Sequence, residues 1–156
     1  MGEVRLRPAT IADAELLFVW RNDPLTRQQS IHTEPVVWET HLTWLETGLQ
    51  NSDRWLFIAE QAVPAMQAPV VLGTVRADKL AEVYELSWTV APEQRGKGWG
   101  KKMVAALIAV LPDGAAYQAV VLHTNPASER IAAGLGMALQ SSSPTQTLFA
   151  ARKPLL

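Results

Sequence analysis

The sequence predicts a single α/β domain across residues 1–156, with a mixed sheet of about six to seven strands flanked by about four helices. Two patterns carry the prediction. Short blocks rich in β-branched and aromatic residues alternate with longer stretches whose apolar residues recur at helical spacing. Their order is also informative: after the opening elements, strands meander one after another and then give way to strand, helix, strand, helix. A chain of 156 residues buries roughly 70% of its unfolded surface on folding, so one core suffices without a disulfide or metal staple.

The elements follow in order. Val4 and Leu6 open a strand that stops at Pro8. Thr10 is the expected N-cap of the first helix, with Asp13 three residues on as a carboxylate version of the capping box. That helix carries Leu16, Leu17 and Trp20 and is expected to end near Asp23-Pro24. Trp38, Leu42, Leu45 and Leu49 fall on one face of a second helix. Trp55–Glu60, Val70–Arg76 and Val83–Val90 read as strands, the first two joined by a proline-containing loop over Gln61–Pro69. A glycine-rich turn precedes a helix over Lys101–Leu111, which Pro112-Asp113-Gly114 stops. Gln118–Thr124 reads as a buried strand. Pro126 begins another helix, ending near Gly134-Leu135-Gly136. Ser141-Ser142-Ser143-Pro144 reads as a turn, and Thr147–Ala151 as the last strand.

Composition narrows the function classes. With no cysteine, disulfide scaffolds, thiolate zinc sites and cysteine nucleophiles are excluded. The three histidines have no metal-site spacing, so no metal is expected. A net charge of -1 supplies no field to recruit nucleic acid or a membrane surface. No apolar signal core follows Met1, and no apolar run nears the ~20 residues that span a bilayer. The expected compartment is the cytoplasm.

The sharpest chemical signal is Gln94-Arg95-Gly96-Lys97-Gly98-Trp99-Gly100, between a strand and a helix. Glycines let the backbone turn tightly and bare its N–H groups. At a helix start those donors and the dipole favour an anion, and Arg95, Lys97, Lys101 and Lys102 add positive charge. The expected ligand is a phosphate or pyrophosphate. A P-loop would need a hydroxyl residue after Gly-Lys, and Lys102 stands there. A dinucleotide fingerprint would need a third glycine and an acidic end to the next strand; Lys101 and Val120-Val121-Leu122-His123 supply neither. Arg-x-x-Gly-x-Gly is matched by Arg95, Gly98 and Gly100.

That pattern resembles motif A of the GCN5-related N-acetyltransferase (GNAT) family. Val90-Ala91-Pro92-Glu93 resembles the strand end ahead of it, and Asn125-Pro126-Ala127-Ser128 with Gly136-Met137 the later Asn-x-x-Ser…Gly-Phe segment. The resemblance implies an acetyl-CoA-dependent N-acetyltransferase. Coenzyme A would lie between two splayed strands, with its pyrophosphate on the amides of Arg95, Gly96, Lys97, Gly98, Trp99, Gly100 and Lys101. Asn125 and Ser128 would line the pantetheine arm, and the Val90 N–H would polarise the thioester carbonyl. Glu85 is the expected general base, with Glu82 in reserve and a plain strand-surface carboxylate as the competing reading. The family's acid, a tyrosine, falls at Ala132; Ser128, water, Tyr84 or Tyr117 are the alternatives.

Leu17-Phe18-Val19-Trp20-Arg21-Asn22-Asp23-Pro24 and the His41-x-x-Trp44 pair resemble acetyltransferases of nucleotide-linked 4-amino sugars. The implied acceptor contacts are Arg21 and Arg27 to a diphosphate, Asn22 and Ser30 to hydroxyls, and His41 and Trp44 by stacking. One of His41 and Trp44 is expected to be buried and the other exposed. Other acceptors in the same class are a protein N-terminus, of the ribosomal-protein type, or a polyamine. A reading from another class is a non-catalytic coenzyme A-binding module. A small-molecule amine is the expected partner, and a homodimer is compatible with every version.

Overall fold

The computed structural model describes residues 2–65 and 67–155; Met66 in the Gln61–Pro69 loop and the two terminal residues lie outside the described set. Among these residues seven strands form one sheet: β1 (Val4–Pro8), β2 (Arg54–Gln61), β3 (Val70–Leu80), β4 (Val83–Val90), β5 (Ala116–Leu122), β6 (Ala138–Ser142) and β7 (Gln146–Arg152). Their spatial order is β1-β2-β3-β4-β5-β7-β6, antiparallel throughout except for the parallel pair β4–β5. Among the described residues five α-helices accompany them: α1 (Ala14–Asn22), α2 (Pro24–Gln28), α3 (Trp38–Gln50), α4 (Trp99–Val110) and α5 (Pro126–Gly134).

Alternation along the strands divides the core in two. Leu56 and Ile58 of β2 meet Leu17 and Trp20 of α1 and Leu45 of α3 on one face. Val75, Ala77 and Leu86 meet Met103, Val104 and Leu107 of α4 on the other, where α5 also packs through Ala132 and Ile131.

The capping box forms as the residue types require. Thr10 Oγ1 accepts from the Ala12 N–H at 3.3 Å, and Asp13 Oδ2 accepts from the Thr10 N–H at 2.8 Å, across a 3-10 turn that leads into α1. Asp13 is also gripped by Arg7, whose Nη1 and Nη2 donate at 2.9 and 2.8 Å. The Arg7 bonds hold the Asp13 carboxyl below the usual carboxylate range although burial opposes them.

Two elements depart from expectation. The first helix ends at Asn22, as Asp23-Pro24 implied, but Asp23 then caps a short helix that was not expected, α2, with Pro24 in its first turn. Ser141 and Ser142, expected in a turn, belong to the edge strand β6, every residue of which is exposed. With no buried face, β6 carries no period-two signal. Smaller shifts are that β3 runs on to Leu80, α4 starts at Trp99, and β5 stops at Leu122 short of Thr124.

Candidate active site

β4 and β5 pair only over Val83↔Ala116, Tyr84↔Tyr117 and Glu85↔Gln118. Beyond that they part, and two clefts open along the gap. One, of about 550 Å³, runs between the 94–101 turn and the start of α5. The other, of about 570 Å³, lies on the α1–α3 face. They share Thr26, Gln29, Ser30, Trp88, Thr89, Asn125 and Ser128, so they meet at the splay.

The ladder determines which backbone donors face this gap. The Ala91 N–H donates to Leu72 O at 2.8 Å, which makes that pair a hydrogen-bonded rung of the antiparallel ladder. Alternation then makes Gly73↔Val90 a non-hydrogen-bonded pair, with the Val90 N–H directed away from β3 and toward the parted side. A donor at the mouth of a cleft, with no strand to receive it, is the geometry an oxyanion requires.

The turn provides the remaining donors. Gly96 and Gly98 have φ of 75° and 83°, left-handed values that a side chain resists. Gly98 is the N-cap of α4 and has no side chain to satisfy the first turn of that helix. Among the described residues, no hydrogen bond takes up the amides of Gly96, Lys97, Gly98, Trp99 or Gly100. Gly100 is needed for packing: a Cβ there would lie 2.6 Å from Ile131 Cδ1 of α5 and 3.3 Å from Val90 Cγ2. Lys101 and Arg130 line the same cleft, so the charge and donor set suits a diphosphate.

The expected cofactor residues are distributed as follows. Val90, Arg95, Gly96, Gly98, Trp99, Gly100, Lys101, Asn125 and Ser128 all line this cleft. Lys97 is exposed and does not. The Trp99 ring is buried in the core, so Trp99 offers the cleft chiefly its backbone. Arg95 donates through Nη2 to Asp23 Oδ2 and, at 3.0 Å, to Thr26 Oγ1, which ties the turn to α2. Asn125 caps α5, Oδ1 accepting from the Ser128 N–H at 3.1 Å, and Ser128 Oγ accepts from Trp88 Nε1 at 3.0 Å.

The α1–α3 cleft has a cationic floor. Arg21, Arg54 and Arg76 place their guanidinium carbons 5.0, 5.2 and 5.5 Å from the centre of the Trp44 ring. Burial, and then the neighbouring charge of Arg76, lowers the Arg21 pKa. Burial lowers that of Arg76 too, against the pull of Asp78. His41 is fully buried, with Nε2 donating to Ala14 O at 2.9 Å. Burial depresses its pKa, and Arg21 depresses it further, so the ring is neutral at pH 7. It packs between Phe18 and Trp44, with centroids 5.4 and 6.1 Å away. Trp44 is half-buried rather than exposed, so the expected contrast between the two rings holds only for the sealed His41.

Several expected acceptor contacts are engaged elsewhere. Asn22 clamps Val36: Nδ2 donates to Val36 O at 2.9 Å and Oδ1 accepts from the Val36 N–H at 2.8 Å. Arg27 donates to the carbonyls of Asn22 and Thr33 at 3.2 and 3.3 Å. Neither lines a cleft; both brace the 29–37 segment that walls one. Arg21, Ser30, His41 and Trp44 do line it.

Glu85 lines neither cleft; its Oε1 accepts from Gln118 Nε2 at 3.2 Å. Tyr84 and Tyr117, offered as acids, are buried in the α4-side core away from both clefts, and burial raises the Tyr117 pKa. Ala132, at the family tyrosine position, lies on the buried side of α5 and is 0% exposed. Arg76, Ser87, Trp88, Thr89 and Arg130 were not anticipated. A signal existed for Arg76: Thr74, Arg76 and Asp78 alternate with Val75 and Ala77, one polar and one apolar face of a central strand.

No helix among the described residues is long and apolar enough to cross a membrane. The family model for the acetyltransferase (GNAT) domain matches residues 3–138. No curated protein matches the chain significantly. Among solved structures, a domain from Methanocaldococcus jannaschii is similar at TM-score 0.85 and 21% identity, over 97% of this chain and 99% of that one. Spermidine N-acetyltransferase from Vibrio cholerae, in complex with CoA and spermine, aligns at TM-score 0.83 and 14% identity, over 97% and 96%. A phosphinothricin acetyltransferase from Sinorhizobium meliloti, in complex with AcCoA, aligns at TM-score 0.75 and 19% identity, over 97% and 89%. With the splayed strands, the baring of the 96–100 amides and the family match over most of its length, the chain belongs to the GNAT acetyltransferases.

Proposed function

We propose that this acetyltransferase transfers an acetyl group from acetyl-CoA to a primary amine held in the α1–α3 cleft, the favoured acceptor being a nucleotide-linked amino sugar. The observation that carries the reading is the junction of the two clefts at the parted strands, beside a Val90 N–H that the ladder alternation turns toward the gap. When bound, acetyl-CoA supplies an activated thioester carbonyl. The 96–100 amides hold its diphosphate, and the Val90 N–H takes the carbonyl oxygen as negative charge gathers there. The amine nitrogen bonds to the carbonyl carbon, the carbon–sulfur bond breaks, and one amine proton leaves.

Glu85 is the proposed base. It shares a strand face with Ser87 and Thr89, which line the acceptor cleft, but stands five residues before Val90, roughly 17 Å of extended chain. The proton therefore reaches it through intervening water rather than by contact. Ser128 lines both clefts, and no described residue accepts its hydroxyl hydrogen. It is the proposed hydrogen-bond donor to the departing thiolate, which with a pKa near ~8.5 can also leave without full protonation.

Spermidine and phosphinothricin acetyltransferases among the structural neighbours are consistent with a small amine acceptor. The arginine-floored cleft disfavours a polyamine, whose charges it would repel. The test is release of free thiol from acetyl-CoA with nucleotide-linked amino sugars, peptides and polyamines as acceptors. Turnover with the amino sugar and its loss in Gly98→Asp are expected. CoA binding without turnover on any amine would instead identify a binding module.

A further inference from the structure

Two guanidinium groups in the acceptor cleft carry buried N–H groups that the protein satisfies poorly or not at all. Arg21 Nη1 and Arg76 Nε are buried and have no hydrogen-bond partner. Arg76 is engaged in part: its Nε faces Asp78 Oδ2 at 3.0 Å and its Nη2 donates to Ser87 Oγ at 3.4 Å. Arg21 forms no ion pair among the described residues, whereas Arg54 pairs with Asp78 at 2.7 Å. Buried donors are normally satisfied, so an exception in a functional cleft points to an absent acceptor.

We propose that Arg21 and Arg76, stacked against Trp44 on the floor of this cleft, form an oxyanion subsite that binds a negatively charged group carried by the acceptor amine. This deepens the acetyl-transfer reading and rests on it for the identity of the cleft.

The local charges support the assignment. Three guanidiniums crowd one indole, and the carboxylates beside them are Asp78, shared by Arg54 and Arg76, and Glu85, already bound to Gln118. Glu34 lines the same cleft from an exposed part of the 29–37 segment, a position suited to the amine rather than the anion. The neutral His41 adds no competing charge. An incoming oxyanion would relieve the repulsion between Arg21 and Arg76 and satisfy the unpartnered Arg21 Nη1, as the planar fork of arginine favours. Arg27, the diphosphate ligand implied by resemblance, is replaced in this role by Arg76. Phosphate of a nucleotide-linked amine and carboxylate of an amino acid share this chemistry.

Calorimetric titrations of the full chain separate the two sources. Uridine diphosphate and succinate are each titrated into protein without CoA and into protein saturated with CoA, the latter to block the 96–100 turn. Binding of uridine diphosphate that persists with CoA and weakens roughly tenfold or more in Arg21→Gln supports the subsite with a phosphate occupant. The same loss for succinate alone supports a carboxylate occupant. Arg21→Lys is expected to recover only part, since a point charge does not replace the fork. CoA affinity of each variant reports on folding. If neither anion binds in the millimolar range, or both bind Arg21→Gln as tightly as wild type, the subsite is wrong. If CoA itself fails to bind while an anion still does, the acetyl-transfer reading falls and the subsite stands.

Discussion

The Arg95–Asp23 pair joins residues 72 positions apart and links the diphosphate turn to the wall of the acceptor cleft. Asp23→Asn isolates that link. Asparagine is as good an N-cap as aspartate, so the bond to the Thr26 N–H, 3.1 Å in the wild type, survives and α2 keeps its start. What goes is the charge opposite Arg95. The side chains are 31% exposed at Arg95 and 18% at Asp23, between the fully exposed pairs worth about 0.2–1 kcal/mol and the buried ones whose breakage costs about 3–5 kcal/mol. Solvent access places the pair toward the lower class, at about 1 kcal/mol. At this chain length that is a fall in Tm of about 2–4 °C. In the folded protein burial raises the Asp23 pKa, but the bonds from Arg95 and Thr26 outweigh it and the net shift is downward. The pair's contribution is therefore complete above the ordinary Asp pKa of ~3.9 and is lost as pH falls through the lower folded value. Thermal melts of wild type, Asp23→Asn, Arg95→Gln and the double variant at pH 7 measure the coupling, with CoA titrations alongside. Expected are a coupling of about 1 kcal/mol and a loss of CoA affinity in Asp23→Asn of up to about fivefold, because the turn is no longer anchored. Additive stabilities within about 0.3 kcal/mol would refute the link.

Three other outcomes are expected. Gly100→Ala should weaken CoA binding and cost about 1–3 kcal/mol of overpacking, partly offset by the ~1 kcal/mol gain in helix propensity. Adding Ile131→Val removes the Cδ1 that the new methyl meets and should restore much of both, so wild-type CoA affinity in Gly100→Ala alone counts against the close approach. Glu85→Gln should depress turnover most at low pH, where the amine arrives protonated, and recover at high pH; a wild-type pH–rate profile removes it as the base. Asp13→Asn breaks a pair in which Asp13 is 9% and Arg7 36% exposed, so about 2 kcal/mol of stability should go, read as a Tm shift at pH 7. Because the folded Asp13 carboxyl titrates below its usual range, the gap between variant and wild type should close only in acid.

Features that depend on local backbone chemistry were legible in the sequence. Thr10 with Asp13, and Pro126, specify helix starts within a few residues; the Thr10 capping box forms and Pro126 opens α5. The 94–100 turn was legible for the same reason: glycine content bears directly on φ and on bare amides, whatever the distant partners are. Short or exposed elements were not. α2 is only five residues long, and β6 has no buried face, so neither has a periodic pattern to detect.

Polar side chains of the acceptor half were the hardest to place, and the reason is physical. A side chain's partner is chosen by tertiary contact, and Asn22, Arg27 and Arg21 look equally available in the string that holds them. In the fold, the Asn22 amide bonds both backbone groups of Val36 and the Arg27 guanidinium takes two carbonyls, so neither retains the role that resemblance implied. Arg21 faces inward beside Arg76, a residue from another element 55 positions away, and its Nη1 has no hydrogen-bond partner among the described residues. The string Trp20-Arg21-Asn22-Asp23-Pro24 thus does four separate jobs: Trp20 fills core, Arg21 faces the cleft, Asn22 clamps its wall, and Asp23 with Pro24 starts α2 and holds Arg95. Specificity in such a cleft follows from which charges are left unpaired once the wall is built. An acceptor contact is therefore better sought among buried, unsatisfied donors than among the most conspicuous polar residues of a motif.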